Sequence, residues 1–182
     1  MSAPTATPSG APPERPLPMY TRPDRWAAGT GHWTGMIVVA LAALAADQLT
    51  KHLVRSSIDL NERIDIFYPL TLWHVRNQGI AFGAFAGQIA IVATLTVMAI
   101  VWMLWFFSRS GARHAVFPVA VGLLLGGSLA NLYDRLASGY VTDFIDLPWW
   151  ATFNFADTFI VAGVACLMVG LFRAEPARSP NP

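Results

Sequence analysis

Between Ile89 and Phe107 the chain reads IAIVATLTVMAIVWMLWFF, with no charged side chain anywhere in the run. A helix needs about 20 apolar residues to cross the roughly 30 Å of hydrocarbon in a bilayer. This stretch therefore predicts a membrane span. Three similar stretches flank it, at Trp33 to Val54, Val116 to Tyr133 and Phe153 to Phe172. Pro118 falls in the first turn of the third, where a missing N–H removes no helical hydrogen bond. Composition agrees, with 54% hydrophobic and 13% charged residues and a mean hydropathy of +0.46. The expected fold class is an all-α membrane protein of four transmembrane helices. No internal repeat relates its halves.

Residues 1–32 are rich in Pro, Ala, Ser, Thr and Gly and lack apolar periodicity, so they predict a disordered tail. Residues 33–173 form the expected membrane domain, and 174–182 a short C-terminal tail. A cleavable leader competes for the first span. Met36 to Ala46 is apolar, follows arginines and ends in the small-residue run Ala43-Leu44-Ala45. The apolar pattern resumes at Leu49, Leu53 and Val54, and Asp47 stands four residues before Lys51, the favoured order on a continuing helix. A continuous span is therefore expected.

Four spans put both termini on one side. The terminal tails and the loop after the second span carry Arg15, Arg22, Arg25, Arg109, Arg113, Arg173 and Arg178. Lys51, Arg55, Arg63, Arg76 and Arg135 lie on the other side, together with most of the acids. The basic bias places both termini in the cytoplasm. Between the first two spans, residues 56–87 alternate roughly between apolar and polar at Ile58, Leu60, Ile64, Ile66, Leu70, Leu72, Trp73 and Val75, which predicts short strands on the outer membrane surface. Phe82, Gly83 and Phe85 suggest a segment dipping toward the bilayer.

The net charge of +1 gives no pull toward nucleic acid. Cys166 is single and sits in an apolar run, so it predicts neither disulfide nor zinc site. His32, His52, His74 and His114 share no ligand spacing, and no metal or cofactor is expected. Trp102, Trp105, Trp149 and Trp150 read as interfacial anchors.

The polar residues gather at one end. Asn131, Asp134 and Arg135 share a helix face. Gly139 ends that helix, and Val141 to Asp146 reads as a short extended piece. Asn154 and Asp157, three apart, open the fourth span. Asp143 and Asp157 thus lie on neighbouring elements near the outer interface. Two carboxylates held together do not both ionise cheaply, so one keeps its proton. Such a pair can act as base and acid on a single water. The same aspartates could instead be caps, with Asp157 favouring a helix N-terminus. Asp146 and Asp59 are assigned structural roles. Asp134 is expected to pair with Lys51 or Arg135, and Asp47–Lys51 could be an exposed ion pair worth about 0.3–0.5 kcal/mol. The residues alone leave open a peptidase, a proton-relay or transport protein, and a non-catalytic scaffold.

Five motifs in order narrow the choice. Asp47-Gln48-Leu49-Thr50-Lys51, Asn77-Gln78-Gly79-Ile80-Ala81-Phe82-Gly83, Gly126 to Arg135 (GGSLANLYDR), Val141-Thr142-Asp143-Phe144 and Phe153-Asn154-Phe155-Ala156-Asp157 together resemble the signal peptidase II (lipoprotein signal peptidase) family. The resemblance implies a catalytic dyad at Asp143 and Asp157. Asn77, Asn131, Arg135 and Asn154 would position substrate and dyad. Gly79 belongs to the matched motif, and Asp47, Lys51 and Asp134 would support. It implies an aspartyl endopeptidase of the bacterial inner membrane, with its site near the outer face. That enzyme cleaves prolipoproteins before a diacylglyceryl-modified cysteine, needs no cofactor, contacts membrane lipid and is expected to be monomeric. The family's small surface β-cradle matches residues 56–87. Ala130 stands where the family has glycine, the stretch from Asp143 to Asp157 is short, and the Pro-rich tail has no counterpart.

A reporter enzyme fused after Arg178 is expected to read cytoplasmic in a membrane-topology assay. An outside signal would overturn the orientation.

Overall fold

The computed structural model describes residues 29–79, 87–110 and 116–173. The expected tails at 1–28 and 174–182, and the dipping segment at Phe82, Gly83 and Phe85, lie outside them. The element order is α1 (Thr30–Ser57), β1 (Arg63–Phe67), β2 (Leu70–Asn77), α2 (Ile89–Ser110), α3 (Val116–Ser138), β3 (Val141–Asp146) and α4 (Phe155–Arg173). The molecule is mostly helical, with one small antiparallel sheet in the order β1-β2-β3. By length and composition α1, α2 and α3 can each cross a membrane, and α4 offers a shorter apolar stretch, Phe155–Gly170.

Several boundaries differ from the sequence expectation. Helix α1 starts at Thr30, inside the expected tail, and runs to Ser57. The third helix runs past the expected span boundary at Tyr133 to Ser138, ending before Gly139 as expected. Its late polar residues Asp134 and Arg135 are buried rather than solvated, so they prolong the helix. It ends at Gly139, whose φ of 76° suits glycine. The alternation expected from Ile58 onward begins only at Arg63, because Ile58 caps α1. The sheet also takes its third strand from beyond α3. Asn77 pairs with Val141 and Val75 with Asp143, which brings residues 64 and 68 positions apart into register across the sheet.

Helix α3 is the central element, packed mainly on α1 and α4 and, less extensively, on α2. It can lie so close to both main neighbours because small residues face them. A Cβ on Gly126 would stand 2.5 Å from the Ala40 carbonyl oxygen of α1, and one on Gly127 would collide with the Ala156 carbonyl of α4. Gly163 of α4 meets the Ala120 carbonyl in the same way. Such contacts let membrane helices pack by van der Waals attraction without a hydrophobic drive between them. At the end opposite the sheet, Trp33, Phe107 and Phe117 join α1, α2 and α3 through ring contacts with centroids 4.9 and 5.6 Å apart. The outward faces carry exposed apolar side chains such as Leu41, Val101, Trp102 and Val161, the arrangement lipid favours.

Gly127→Val is expected to lower stability by about 1–3 kcal/mol through overpacking against Ala156. Thermal unfolding in detergent checks this beside Leu136→Val, whose exposed position should move the transition little.

Candidate active site

The polar end of the bundle is built around Lys51. Asp47 and Lys51 are fully buried, not the exposed ion pair that their spacing allowed. The ammonium lies 2.7 Å from Asp47 Oδ2 and 2.8 Å from Asp134 Oδ2. It donates a hydrogen bond of 2.9 Å to Asn131 Oδ1. Of the two partners the sequence allowed for Asp134, the ion pair falls to Lys51, while Gln48 Nε2 donates to its other oxygen at 3.0 Å. Asp47 has a further duty: its Oδ1 accepts the backbone N–H of Ala156 at 2.7 Å. A carboxylate of α1 thus satisfies one of the orphan donors at the start of α4, where a negative charge also suits the helix dipole.

Asn154 and Asp157 do not share a helix face as the sequence suggested. Asn154 precedes α4 and caps it. Its Oδ1 accepts from the Asp157 N–H at 3.0 Å, and Asp157 Oδ2 accepts from the Asn154 N–H at 3.2 Å. This is a reciprocal capping box with an acid at the third helical position. The chain reaches it compactly. Phe153 exchanges two backbone hydrogen bonds with Ile145, of 2.8 and 3.0 Å, so the short stretch from Asp143 to Asp157 folds back along β3.

Asp143 sits on β3 and is buried, whereas Asp157 is half-buried. Asp143 Oδ1 accepts from Asn154 Nδ2 at 2.7 Å and its Oδ2 from Asn77 Nδ2 at 2.9 Å. Asp157 Oδ1 accepts from Asn131 Nδ2 at 2.9 Å. Both carboxyls line one cavity of about 350 Å³ together with Asn77, Asn131 and Arg135. Burial pushes the Asp143 carboxyl up to about 7; the Asn77 donor opposes the rise and the charge on Asp157 adds to it.

Arg135 and Gly79 complete the set. Arg135 Nη2 donates to the Gly79 carbonyl at 2.7 Å and Nη1 to the Asn131 carbonyl at 3.2 Å. Gly79 N–H donates to Asn77 Oδ1 at 2.9 Å, which turns the Asn77 amide so that its nitrogen faces Asp143. Arg135 Nε is buried without a hydrogen-bond partner among the described residues. All ten residues singled out in the sequence, Asp47, Lys51, Asn77, Gly79, Asn131, Asp134, Arg135, Asp143, Asn154 and Asp157, therefore meet in one connected network. Asp146 stays apart, accepting from Thr152 Oγ1 at 3.0 Å. Among the described residues no three His, Cys, Asp or Glu side chains gather to hold a metal.

Sequence reasoning gave no role to Gln48, which holds Asp134, and missed much of the cavity wall. Ser128 lines it one helical turn before Asn131, a spacing that could have revealed it. Val92, Thr96, Ile160 and Val161 give the cavity a largely apolar flank from α2 and α4. Nothing in their own apolar stretches marks them out.

Comparisons with known proteins place the chain in a family. Residues 39–173 match the family model described as signal peptidase (SPase) II. The chain is 37% identical over 149 residues to a lipoprotein signal peptidase of Moorella thermoacetica, covering 79% of this chain and 98% of that one. It is 39% identical to the lipoprotein signal peptidase of Brucella ovis, covering 77% and 90%. Two solved bacterial membrane enzymes share the fold. One, determined in meso at 2.3 Å, has a TM-score of 0.76 at 24% identity, covering 86% of this chain and 97% of its own. The other, at 1.9 Å, has a TM-score of 0.72 at 25% identity, covering 83% and 99%. With a family model spanning most of its length and relatives this similar over nearly their whole chains, the protein belongs to the signal peptidase II family.

Proposed function

We propose that this protein is a membrane aspartyl endopeptidase that removes signal peptides from bacterial prolipoproteins, cutting just before a diacylglyceryl-modified cysteine. The observation that carries this is the pair Asp143 and Asp157 on one cavity, each held by asparagine N–H donors. The proton resides on the buried Asp143. Asp157, open to the cavity, carries the charge and takes a proton from water as the water oxygen attacks the scissile carbonyl. Asp143 donates its proton to the carbonyl oxygen, giving a neutral tetrahedral intermediate. Collapse breaks the C–N bond. The proton on Asp157 passes to the leaving nitrogen, and the hydroxyl proton returns to Asp143, restoring both groups. Arg135, whose Nε has no partner among the described residues, and Asn77 and Asn131 are the groups that hold the peptide backbone in place.

The flank of Val92, Ile160 and Val161 favours a lipidated substrate, because it continues the polar cavity into an apolar one between α2 and α4. In this reading α4 is a fourth span. Its 19 residues measure about 28 Å at 1.5 Å per residue, close to the hydrocarbon thickness. Both termini lie in the cytoplasm of a bacterial inner-membrane protein, and the dyad sits near the outer face. The enzyme works as a monomer and without a cofactor.

Asp143→Asn or Asp157→Asn is expected to lower turnover by about 10²–10⁴-fold or more while leaving insertion and folding intact. A gel-shift assay with lipidated prolipoprotein, beside its unlipidated form, reads this. Retained turnover in either folded variant would refute the dyad.

A pH profile offers a separate check. Asp143 donates only while protonated, so kcat should fall as pH rises through about 7. A kcat unchanged from about pH 6 to about pH 9 would remove Asp143 as the donor. The linked stability effect has the same sign. The unfolded carboxyl ionises near its ordinary 3.8 while the folded one still holds its proton, so this group lowers stability as pH rises from about 4 to about 7.

A further inference from the structure

Asn131 contacts the dyad, yet nothing in its own side chain decides which end of the amide faces Asp157. An asparagine amide can turn over, exchanging a donor for an acceptor. Here the choice is made from the far side. Asn131 Oδ1 receives the Lys51 ammonium at 2.9 Å and Asn154 Nδ2 at 3.2 Å. Turned over, the amide would set its NH₂ against an ammonium and a second NH₂, and its oxygen against the Asp157 carboxylate. Lys51 has no competing use for that proton. Its other two close contacts are ion pairs with Asp47 and Asp134, at 2.7 and 2.8 Å, so the charge of the fully buried ammonium is compensated there.

We propose, resting on the peptidase reading above, that Lys51 is a positioning residue acting through Asn131. Its ammonium locks the amide so that Nδ2 points at Asp157 Oδ1, and so sets the orientation of the carboxylate that takes the proton from the attacking water. Neutralising Asp47 and Asp134 would explain two of its contacts but not the third, which is the one that leads to the dyad. Gln48, Arg135 and the Ala156 N–H also touch this buried set, and none of them meets Asn131 Oδ1.

Lys51→Met alone would strand two buried carboxylates and confound the result. The test is the pair Lys51→Met with Asp134→Asn, which keeps one net negative charge in the buried set, as in the native protein. Combining that pair with Asn131→Ala completes a double-mutant cycle. The charge-matched variant should fold, keep KM, and lose about 10- to 100-fold in kcat for lipidated prolipoprotein. In the Asn131→Ala background the same change should cost less than about twofold, because the amide it orients is gone. An undiminished kcat in the charge-matched variant, multiplicative losses in the cycle, or failure of that variant to fold would each overturn the proposal. Native protein that cleaves no lipidated substrate would defeat the peptidase reading and this proposal with it, whereas an active native enzyme beside an unimpaired variant defeats this proposal alone.

Discussion

One buried ammonium ties the bundle together. Lys51 of α1 reaches Asp134 and Asn131 of α3, and its partner Asp47 reaches the first turn of α4. Placing a lone charge in such a site would be prohibitive, so the group can exist there only with its charge compensated. That condition is met by residues on two helices, with a third helix engaged through Asp47. The constraint therefore works as a register mark. A slip of α1 along α3 by one turn, about 5.4 Å, would strand at least two charges, whereas the glycine contacts at Gly126 and Gly127 fix only how near the helices come.

The site inherits that register. Asp157 sits where it does because its own side chain closes the capping box of α4 and because Asp47 holds the neighbouring N–H. Asp143 comes from a different kind of element, a strand paired to β2 on the surface sheet. Asn154 joins the two, giving its oxygen to the helix cap and its nitrogen to Asp143. The residues that cap the start of α4 also belong to the proposed chemistry. A substitution that weakens the cap would thus be hard to separate from one that damages the site.

Much of this was visible in the residues. Three helices long enough to cross a membrane and a shorter apolar fourth followed from apolar length, and the candidate site from five ordered motifs whose members converge. What stayed hidden had physical causes. Asp47 and Lys51 show the same four-residue spacing whether a pair faces water or the bundle, so burial could not be read from it. Asp134 and Arg135 looked like the end of the membrane span because charge usually marks the interface, yet both are buried among partners. Asn154 and Asp157 at a three-residue spacing fit a shared face and a capping box equally well. β3 joined the sheet through pairing with a strand that precedes α2 and α3, a long-range contact that no local pattern encodes. Val92 and Ile160 line the cavity by virtue of helix placement alone.

The Asp47 to Ala156 hydrogen bond spans 109 positions of sequence. It joins the first helix described here to the last. During synthesis α1 is made long before α4, and until α4 arrives Asp47 lacks the N–H it caps, while Asp143 has neither Asn154 nor Asp157 beside it. A nascent chain is then a membrane protein with three helices in place and no working centre. The proteolytic capacity is withheld by the order of translation itself and appears only when the final helix docks.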